Sequence, residues 1–244
     1  MSSRRLLLDA GNTRLKWALV EDGVWHVQGS AAYTDLASLE QWVKPGTRCY
    51  IASVARAQHE EQVSKLLGPF AITPIWLVAE ARFSDVSNRY AHPQQLGVDR
   101  WMGLIAARQR TRKPALVVSA GTAMTVDALA ADGTFLGGLI VPGVAMMQQA
   151  LQQGTARVTE VRGHWHAFPL STQDAVESGI VAALCGAVQL QHARMAAMMG
   201  EMPHCLLTGG DAEKLLPHLS MDVAQAPALV LEGMDCVARE GTAG

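Results

Sequence analysis

Four residues suited to binding charged groups follow the first apolar stretch of the chain. Residues 6–8 are leucines and predict a strand buried on both faces, which leads into Asp9, Gly11, Asn12 and Thr13. Asp9 offers the oxygen ligand that Mg²⁺ prefers, and Gly11 lets the backbone approach a bound group closely. Asn12 and Thr13 add donors for anionic oxygens. The pattern is typical of a turn that holds phosphate and metal, although an ordinary glycine turn explains it equally well.

A strand predicted at residues 15–20 follows this turn. Because side chains alternate between the faces of a strand, Arg14 and Lys16 share one face. Lys16 would then lie close behind the turn, within reach of a phosphate. A solvated lysine on a strand is an equally good explanation.

The same pattern returns 110 residues further along the chain. Asp-Ala-Gly at 9–11 becomes Ser-Ala-Gly at 119–121, and the Asp-Gly pair at 22–23 returns at 132–133. Both copies predict strand, Ala-Gly turn, strand, Asp-Gly turn and strand, and the equal spacing needs no insertion. We therefore expect two similar half-domains whose glycine turns bind a nucleotide triphosphate from both sides.

Each half is predicted to have a mixed α/β fold. After three strands, residues 1–113 continue with helix, strand, helix and strand, and residues 114–244 repeat the opening strands. Residues 84–97 lack a clear period and contain a proline, which predicts a loop. The predicted helices lie at 36–43, 59–67, 97–110, 144–152, 171–200, 212–219 and 228–239.

Composition narrows the class of protein. A net charge of −2 gives no electrostatic basis for binding nucleic acid. Four cysteines without a CxxC pair indicate reduced thiols and predict a cytoplasmic location. Residues 133–156 carry no charge, but five glycines, four glutamines and Pro142 within them argue against a membrane span.

A second group of reactive side chains lies around the start of the helix predicted at 97–110. Asp99 and Arg100 open this helix, and Tyr90 precedes it in the loop. A carboxylate, a guanidinium and a phenol together would bind and deprotonate a small acidic alcohol. An aspartate that caps the helix start also explains Asp99, and the residues alone favour that simpler role.

Glycines lie close to the predicted strand ends in the second half of the chain. Gly-Gly at 137–138 and Pro-Gly at 142–143 bracket its third strand. Gly209 and Gly210 follow a buried strand and precede a helix, so a flat ring would be able to lie on their backbone. A plain strand-to-helix turn is the alternative.

Together these motifs resemble the type III pantothenate kinases, of the acetate-and-sugar-kinase, heat-shock-chaperone and actin superfamily. The resemblance implies duplicated actin-like (ribonuclease H-like) half-domains, with mixed sheets flanked by helices. It covers nearly the whole chain, with the motifs in the family's order. The matching segments are 9–13 with Lys16; 90–101; 121–123 with Thr125 and Asp127; 137–143; Thr172 with Ala175, Ser178 and Gly179; and 208–211.

The resemblance implies ATP-dependent phosphorylation of pantothenate to 4'-phosphopantothenate, the first step of coenzyme A biosynthesis. Asp99 would be the general base that takes the proton of pantothenate's primary hydroxyl. Thr172 would reach pantothenate across a homodimer interface. The other residues implied to bind pantothenate are Tyr90, Gly97, Val98 and Arg100.

The resemblance also assigns the binding of ATP and metal. Asp9 would organise Mg²⁺, and Gly209 and Gly210 would hold the adenosine. The residues implied at the phosphates are Gly11, Asn12, Thr13, Arg14, Lys16, Gly121 and Thr122.

Ser119 departs from the family pattern. The family usually has an aspartate there, which helps to hold a monovalent cation, K⁺ or NH₄⁺. A serine carries no charge, so we expect the cation to bind more weakly.

Two other classes of function remain open at this point. One is a kinase of the same superfamily that acts on another small hydroxylated or carboxylate substrate; the segment 90–100 argues against it. The other is a regulatory accessory protein that retains the fold. The presence of both Asp9 and Asp99 argues against an inactive enzyme.

Overall fold

The computed structural model describes residues 4–155, 158 and 163–240. It divides into two compact units that interleave in sequence. Unit 1 contains the residues up to Ser84, Tyr90–Ala106 and the residues from Ala228 onward, and unit 2 contains Asp85–Arg89 and Ala107–Pro227. The predicted boundary between residues 113 and 114 stays a prediction.

Unit 1 is built on a five-stranded mixed sheet. Its first three strands, β1 (Arg4–Ala10), β2 (Arg14–Glu21) and β3 (Val24–Ala32), form an antiparallel meander. Strand β4 (Arg48–Ser53) runs parallel to β1, and β5 (Ile75–Trp76) runs parallel to β4 at the sheet edge. The strand order is therefore β3-β2-β1-β4-β5.

Helices and short segments complete unit 1. Helix α3 begins in unit 1 and its last residues belong to unit 2. The elements are α1 (Ala37–Glu40), α2 (Ala57–Leu67), a 3-10 turn at Gly68–Phe70, β6 (Arg82–Phe83), a 3-10 turn at Pro93–Gln95, α3 (Val98–Arg110) and α7 (Leu229–Glu240).

Unit 2 repeats the topology of unit 1. Its strands are β7 (Val86–Asn88), β8 (Ala115–Ala120), β9 (Ala123–Leu129), β10 (Thr134–Pro142), β11 (His204–Thr208) and β12 (Val223–Gln225). Within the unit their order is β12-β11-β8-β9-β10-β7, with β8, β9 and β10 antiparallel and β11 parallel to β8. The order of β8 to β12 matches that of β1 to β5, which confirms the predicted duplicated α/β fold.

The helices of unit 2 pack on one face of this sheet. They are α4 (Val144–Gly154), α5 (Thr172–Met199) and α6 (Ala212–Leu215), which continues into a 3-10 turn at Leu216–His218. Alternate residues of β8, such as Leu116 and Val118, form a core with Leu184 and Val188 of α5. The opposite face of β8 and β9 therefore carries the polar residues of these strands.

Strand alternation also separates two faces in unit 1. Leu6 and Leu8 form a core with Val63 and Leu67 of α2. Helix α7 contacts β1 and β4. Arg5 of β1 donates to Asp235 of α7 at 3.0 Å, so α7 lies on the face that Arg5 and Asp9 share.

The structure corrects several predicted element boundaries. The helix predicted at 36–43 is only the single turn α1, and the helix predicted at 212–219 ends its regular part at Leu215. The predicted loop at 84–97 contains β7, which pairs with β10. Val-Ser-Asn has no recognisable strand pattern, because so short a strand forms through main-chain hydrogen bonds that its side chains do not reveal.

The two repeats have equal spacing in the sequence, but their glycine turns differ in length. Ala10 pairs with Leu15, whereas Ala120 pairs with Met124, so the second turn is one residue shorter. The strand pairing makes Thr125 the structural counterpart of Lys16. The expectation that no insertion separates the copies was therefore wrong at this turn.

No helix among the described residues is long and apolar enough to cross a membrane.

Candidate active site

Asp9 and Lys16 lie opposite each other in unit 1. Strands β1 and β2 pair the two residues directly, so both side chains leave the sheet on one face. Asp9 is only 8% exposed, and no described residue donates a hydrogen bond to its carboxylate. The register thus places a cation behind the turn, and at its start a carboxylate without a hydrogen-bond donor in the described part of the chain.

The surroundings of Asp9 disfavour the charged form of its carboxyl group. Burial raises its pKa to about 7; the charge of Lys16 opposes this rise, and the charge of Asp99 adds to it. The charge of Asp99, far away in sequence, therefore acts on Asp9 within unit 1. A buried carboxylate with another carboxylate nearby is stabilised by a bound cation.

Asp99 lies in the first turn of α3. Its Oδ1 accepts the Arg100 amide at 2.8 Å, and Gly97 accepts the Trp101 amide. A Cβ at Gly97 would lie 2.7 Å from Asp99 Oδ1, so the glycine leaves room for the carboxylate. Burial raises the pKa of Asp99, against the lowering effect of the Arg100 amide and guanidinium. Asp99 therefore supports the helix start and is also a stronger base than an ordinary aspartate.

The other residues of this predicted group lie beside Asp99. The Arg100 guanidinium is buried, and its Nη1 donates to the Tyr90 hydroxyl at 3.3 Å. Val98 is buried and apolar. The carboxylate, guanidinium and phenol expected from the sequence therefore belong to one unit of the structure.

Three other residues of the first turn lie at the surface. Asn12, Thr13 and Arg14 are all exposed. The Arg14 guanidinium donates to the hydroxyl and carbonyl of Ser30 on β3, at 2.8 and 3.0 Å. Its predicted role at phosphate would require these bonds to be exchanged.

Tyr33 is a residue of the site that the sequence analysis missed. It follows β3, and its hydroxyl donates to the Gly11 carbonyl at 2.7 Å. The signal was absent because only the folded sheet brings residue 33 to the turn at residue 11.

Three glycine motifs of unit 2 meet at the end of β8. Gly143 donates its amide to Thr122 O at 3.0 Å, and a Cβ on Gly143 would lie 2.0 Å from Gly121 O. Gly209 has φ +104°, and a Cβ there would lie 2.1 Å from Ala120 O. Only glycine fits these approaches, so the predicted second phosphate turn is enclosed by the other two motifs.

Ser119 lies between two threonines on the polar face of the unit 2 sheet. It pairs with Thr125 of β9 and Thr208 of β11. Thr125 Oγ1 is buried and has no hydrogen-bond partner among the described residues, and Asp127, on the same face, is 1% exposed. This donor set fits a weakly held monovalent cation better than a divalent one.

Thr172 begins α5 beside an apolar groove. Ser171 caps the helix, its side chain accepting the Asp174 amide at 3.1 Å. The groove between α4 and α5 has a volume of about 700 Å³, and its lining includes Thr172. Met146 and Leu151 of its lining are exposed, and so are Phe168 and Leu170, which shortly precede Thr172 in the sequence.

Sequence comparison matches this chain to one family. The profile of the type III pantothenate kinases matches residues 5–194. A type III pantothenate kinase of Thiobacillus denitrificans is 59% identical over 244 residues, all of both chains. One of Nitrosospira multiformis is 42% identical, covering 98% of this chain and 93% of the relative.

Solved structures show the same fold. A Campylobacter jejuni chain described as a Baf family transcriptional activator superposes with a TM-score of 0.63 and 20% identity, covering 98% of this chain and 100% of that one. A chain from Sinorhizobium meliloti described as a 2-dehydro-3-deoxygalactonokinase gives a TM-score of 0.55 and 16% identity, covering 97% and 98%. At these identities the likeness concerns the fold alone. By its sequence, the chain belongs to the type III pantothenate kinase family.

Proposed function

We infer that this chain transfers the γ-phosphoryl group of ATP to the primary hydroxyl of pantothenate, forming 4'-phosphopantothenate for coenzyme A biosynthesis. The observation that carries this inference is the group in unit 1: Asp99 is half-buried with a raised pKa, influences Asp9, and adjoins the Arg100–Tyr90 pair. Family membership supports the substrate.

Asp99 acts as the general base in this proposal. Its carboxylate takes the hydroxyl proton while the alcohol oxygen bonds to the γ-phosphorus and the bond to the ADP oxygen breaks. Because burial raises its pKa, the carboxylate binds the proton more tightly than an ordinary aspartate would. Arg100 and Tyr90 hold the substrate, Arg100 by charge attraction to the pantothenate carboxylate. Gly97 and Val98 contribute the backbone next to Arg100, at the start of α3.

Asp9 fits a divalent metal, because its buried carboxylate receives no hydrogen bond from the described residues. Bound Mg²⁺ neutralises charge on the ATP phosphates. Lys16, paired with Asp9 across the strands, adds positive charge behind the turn. Gly11, Asn12 and Thr13 contribute the turn itself.

Unit 2 supplies further groups for ATP in this proposal. The turn at Gly121 and Thr122 offers main-chain and hydroxyl donors to phosphate. Gly209 and Gly210 offer a side-chain-free surface to the adenosine. The enclosure of the turn by Gly143 and Gly209 supports a rigid binding loop.

The decisive experiment is a substrate screen with purified protein. ATP turnover should depend on pantothenate and not on acetate or a hexose. Turnover with acetate or a hexose, but not with pantothenate, would contradict the proposal and favour another kinase of the superfamily.

We also propose that the protein forms a homodimer and works in the cytoplasm. The apolar groove beside Thr172, with exposed Phe168 and Leu170 nearby, supports a second copy as the occupant. All four cysteines are described and none forms a disulfide, which supports a reducing compartment.

A weakened monovalent-cation site at Ser119 completes the proposal. The neutral oxygens of Thr125 and Thr208 flank this position. Potassium sites rely largely on such oxygens, so K⁺ or NH₄⁺ would still activate the enzyme, at higher concentration than with an aspartate.

A further inference from the structure

The main-chain groups of the first glycine turn are hydrogen-bonded to several other residues of unit 1. The Val54 amide donates to Ala10 O at 3.0 Å, and the Gly11 amide donates to Arg14 O at 3.2 Å. The remaining carbonyl, that of Gly11, accepts the Tyr33 hydroxyl at 2.7 Å. The Gly11 backbone groups are therefore all bonded within the protein.

Tyr33 is itself rigidly placed. Its ring is 7% exposed and stacks on the His59 imidazole, with 3.9 Å between centroids and 6° between planes. Burial raises the pKa of Tyr33 to about 12, and the charges of Asp9 and Glu60 add to this rise. The hydroxyl therefore keeps its proton at neutral pH and remains a donor.

The geometry of the peptide unit connects this bond to the ligand side of the turn. The carbonyl of Gly11 and the amide N–H of Asn12 belong to one planar trans peptide and point in opposite directions. Tyr33 holds the carbonyl, so the Asn12 N–H points away from Tyr33. That N–H makes no hydrogen bond to any described residue, and Asn12 is exposed.

We propose that Tyr33 is a positioning residue that orients the Gly11–Asn12 peptide, so that the Asn12 amide N–H is presented to a phosphate oxygen of ATP. This deepens the proposed function and rests on its assignment of the turn to phosphate. Without the Tyr33 hydroxyl the peptide rotates more freely, and the N–H loses part of its preorganisation.

The test compares Tyr33→Phe with a matched control. Tyr33→Phe keeps the ring against His59 and removes only the hydroxyl. Tyr50→Phe also removes a hydroxyl from a buried tyrosine of unit 1, one that bonds to no described residue. ATP binding is measured by calorimetric titration for all three proteins. Initial rates are measured against ATP at saturating pantothenate and against pantothenate at saturating ATP.

We expect Tyr33→Phe to weaken ATP binding and raise KM for ATP by about threefold to tenfold, the range of one net hydrogen bond. KM for pantothenate and the melting temperature should stay close to those of Tyr50→Phe. Native ATP affinity in Tyr33→Phe, or equal changes in both KM values together with a lower melting temperature, would overturn the proposal. Because ATP binding is measured directly, the result does not depend on whether pantothenate is the acceptor.

Discussion

At the scale of single residues, the surroundings of Asp99 are compatible with both roles that the sequence presented as alternatives. Its Oδ1 accepts the Arg100 amide in the first helical turn, as a structural residue would. The same half-buried carboxyl has a raised pKa, a property that is frequent among catalytic acids and bases.

We predict that Asp99→Asn lowers kcat by about 10²- to 10⁴-fold, because the amide cannot accept the substrate proton. The asparagine oxygen can still accept the Arg100 amide, so the melting temperature should change little. Steady-state kinetics and thermal unfolding of the same preparation check both parts. A variant with near-native kcat would show that Asp99 serves the helix and not the reaction.

The buried charge of Asp9 is expected to lower the stability of the folded protein. Its folded pKa of about 7 exceeds its unfolded value, so the folded state binds the extra proton between about pH 4 and 7. Stability therefore falls as pH rises through this window, and the full cost is present above pH 7.

We predict that Asp9→Asn melts at a higher temperature than the native protein at pH 8, and at a similar temperature at pH 4. The reason is that asparagine removes the buried charge, which matters only where Asp9 is ionised. The same variant should lose Mg²⁺-dependent use of ATP. Thermal unfolding at the two pH values without metal, and Mg²⁺ titration of the rate, are the measurements; an unchanged Mg²⁺ dependence would remove Asp9 from the metal site.

Ser119 leads to a prediction about monovalent cations. Initial rates are measured against KCl at constant ionic strength set with a large organic cation. We expect activation that saturates only at high K⁺ in the native protein and at lower K⁺ in Ser119→Asp, because a carboxylate adds charge to the neutral oxygens. Tight activation in the native protein that Ser119→Asp does not tighten would contradict this.

At the scale of elements, the glycines of unit 2 act by letting separate segments approach one turn. Gly143 precedes α4, and its missing Cβ leaves room for the carbonyls of Gly121 and Thr122. The end of β10 and the turn between β8 and β9 can therefore come into direct main-chain contact.

We predict that Gly143→Ala raises KM for ATP and lowers the melting temperature, since the new methyl would lie 2.0 Å from Gly121 O and must displace the turn. Gly186→Ala is the matched control, because a Cβ there meets nothing within 4 Å in the middle of α5. The control should be neutral or more stable by up to about 1 kcal/mol. Equal behaviour of the two variants would show that the close approach has no consequence for the turn.

At the scale of the whole molecule, the predicted homodimer links an apolar surface to substrate binding. We expect Leu151→Glu to give a monomer by light scattering, because a charge in the groove opposes its burial by a second copy. KM for pantothenate should rise, since Thr172 borders the same groove. A native monomer with full activity at working concentration would exclude the dimer.

Much of the architecture was predictable because it depends on local pattern. The leucines of β1, the Ala-Gly turns and the cap at Ser171 act over a few residues, and the structure has β1, both turns and α5 where they were expected. The short strand β7 was missed, since it is held by main-chain bonds to β10 that no side-chain pattern records.

The sequence by itself determined which groups are available for chemistry: two aspartates, an arginine, a lysine and several glycines in an order that identifies a family of kinases. Their types and local spacing depend on neighbours in the chain, which is why they could be interpreted without coordinates. Tertiary structure alone decided which of them act together. Strand register set Lys16 opposite Asp9, burial raised the pKa of Asp9 and Asp99, and sheet formation brought Tyr33 to the Gly11 carbonyl. These arrangements depend on pairing and burial across the whole unit, and they form only when the chain folds to bury its apolar strands.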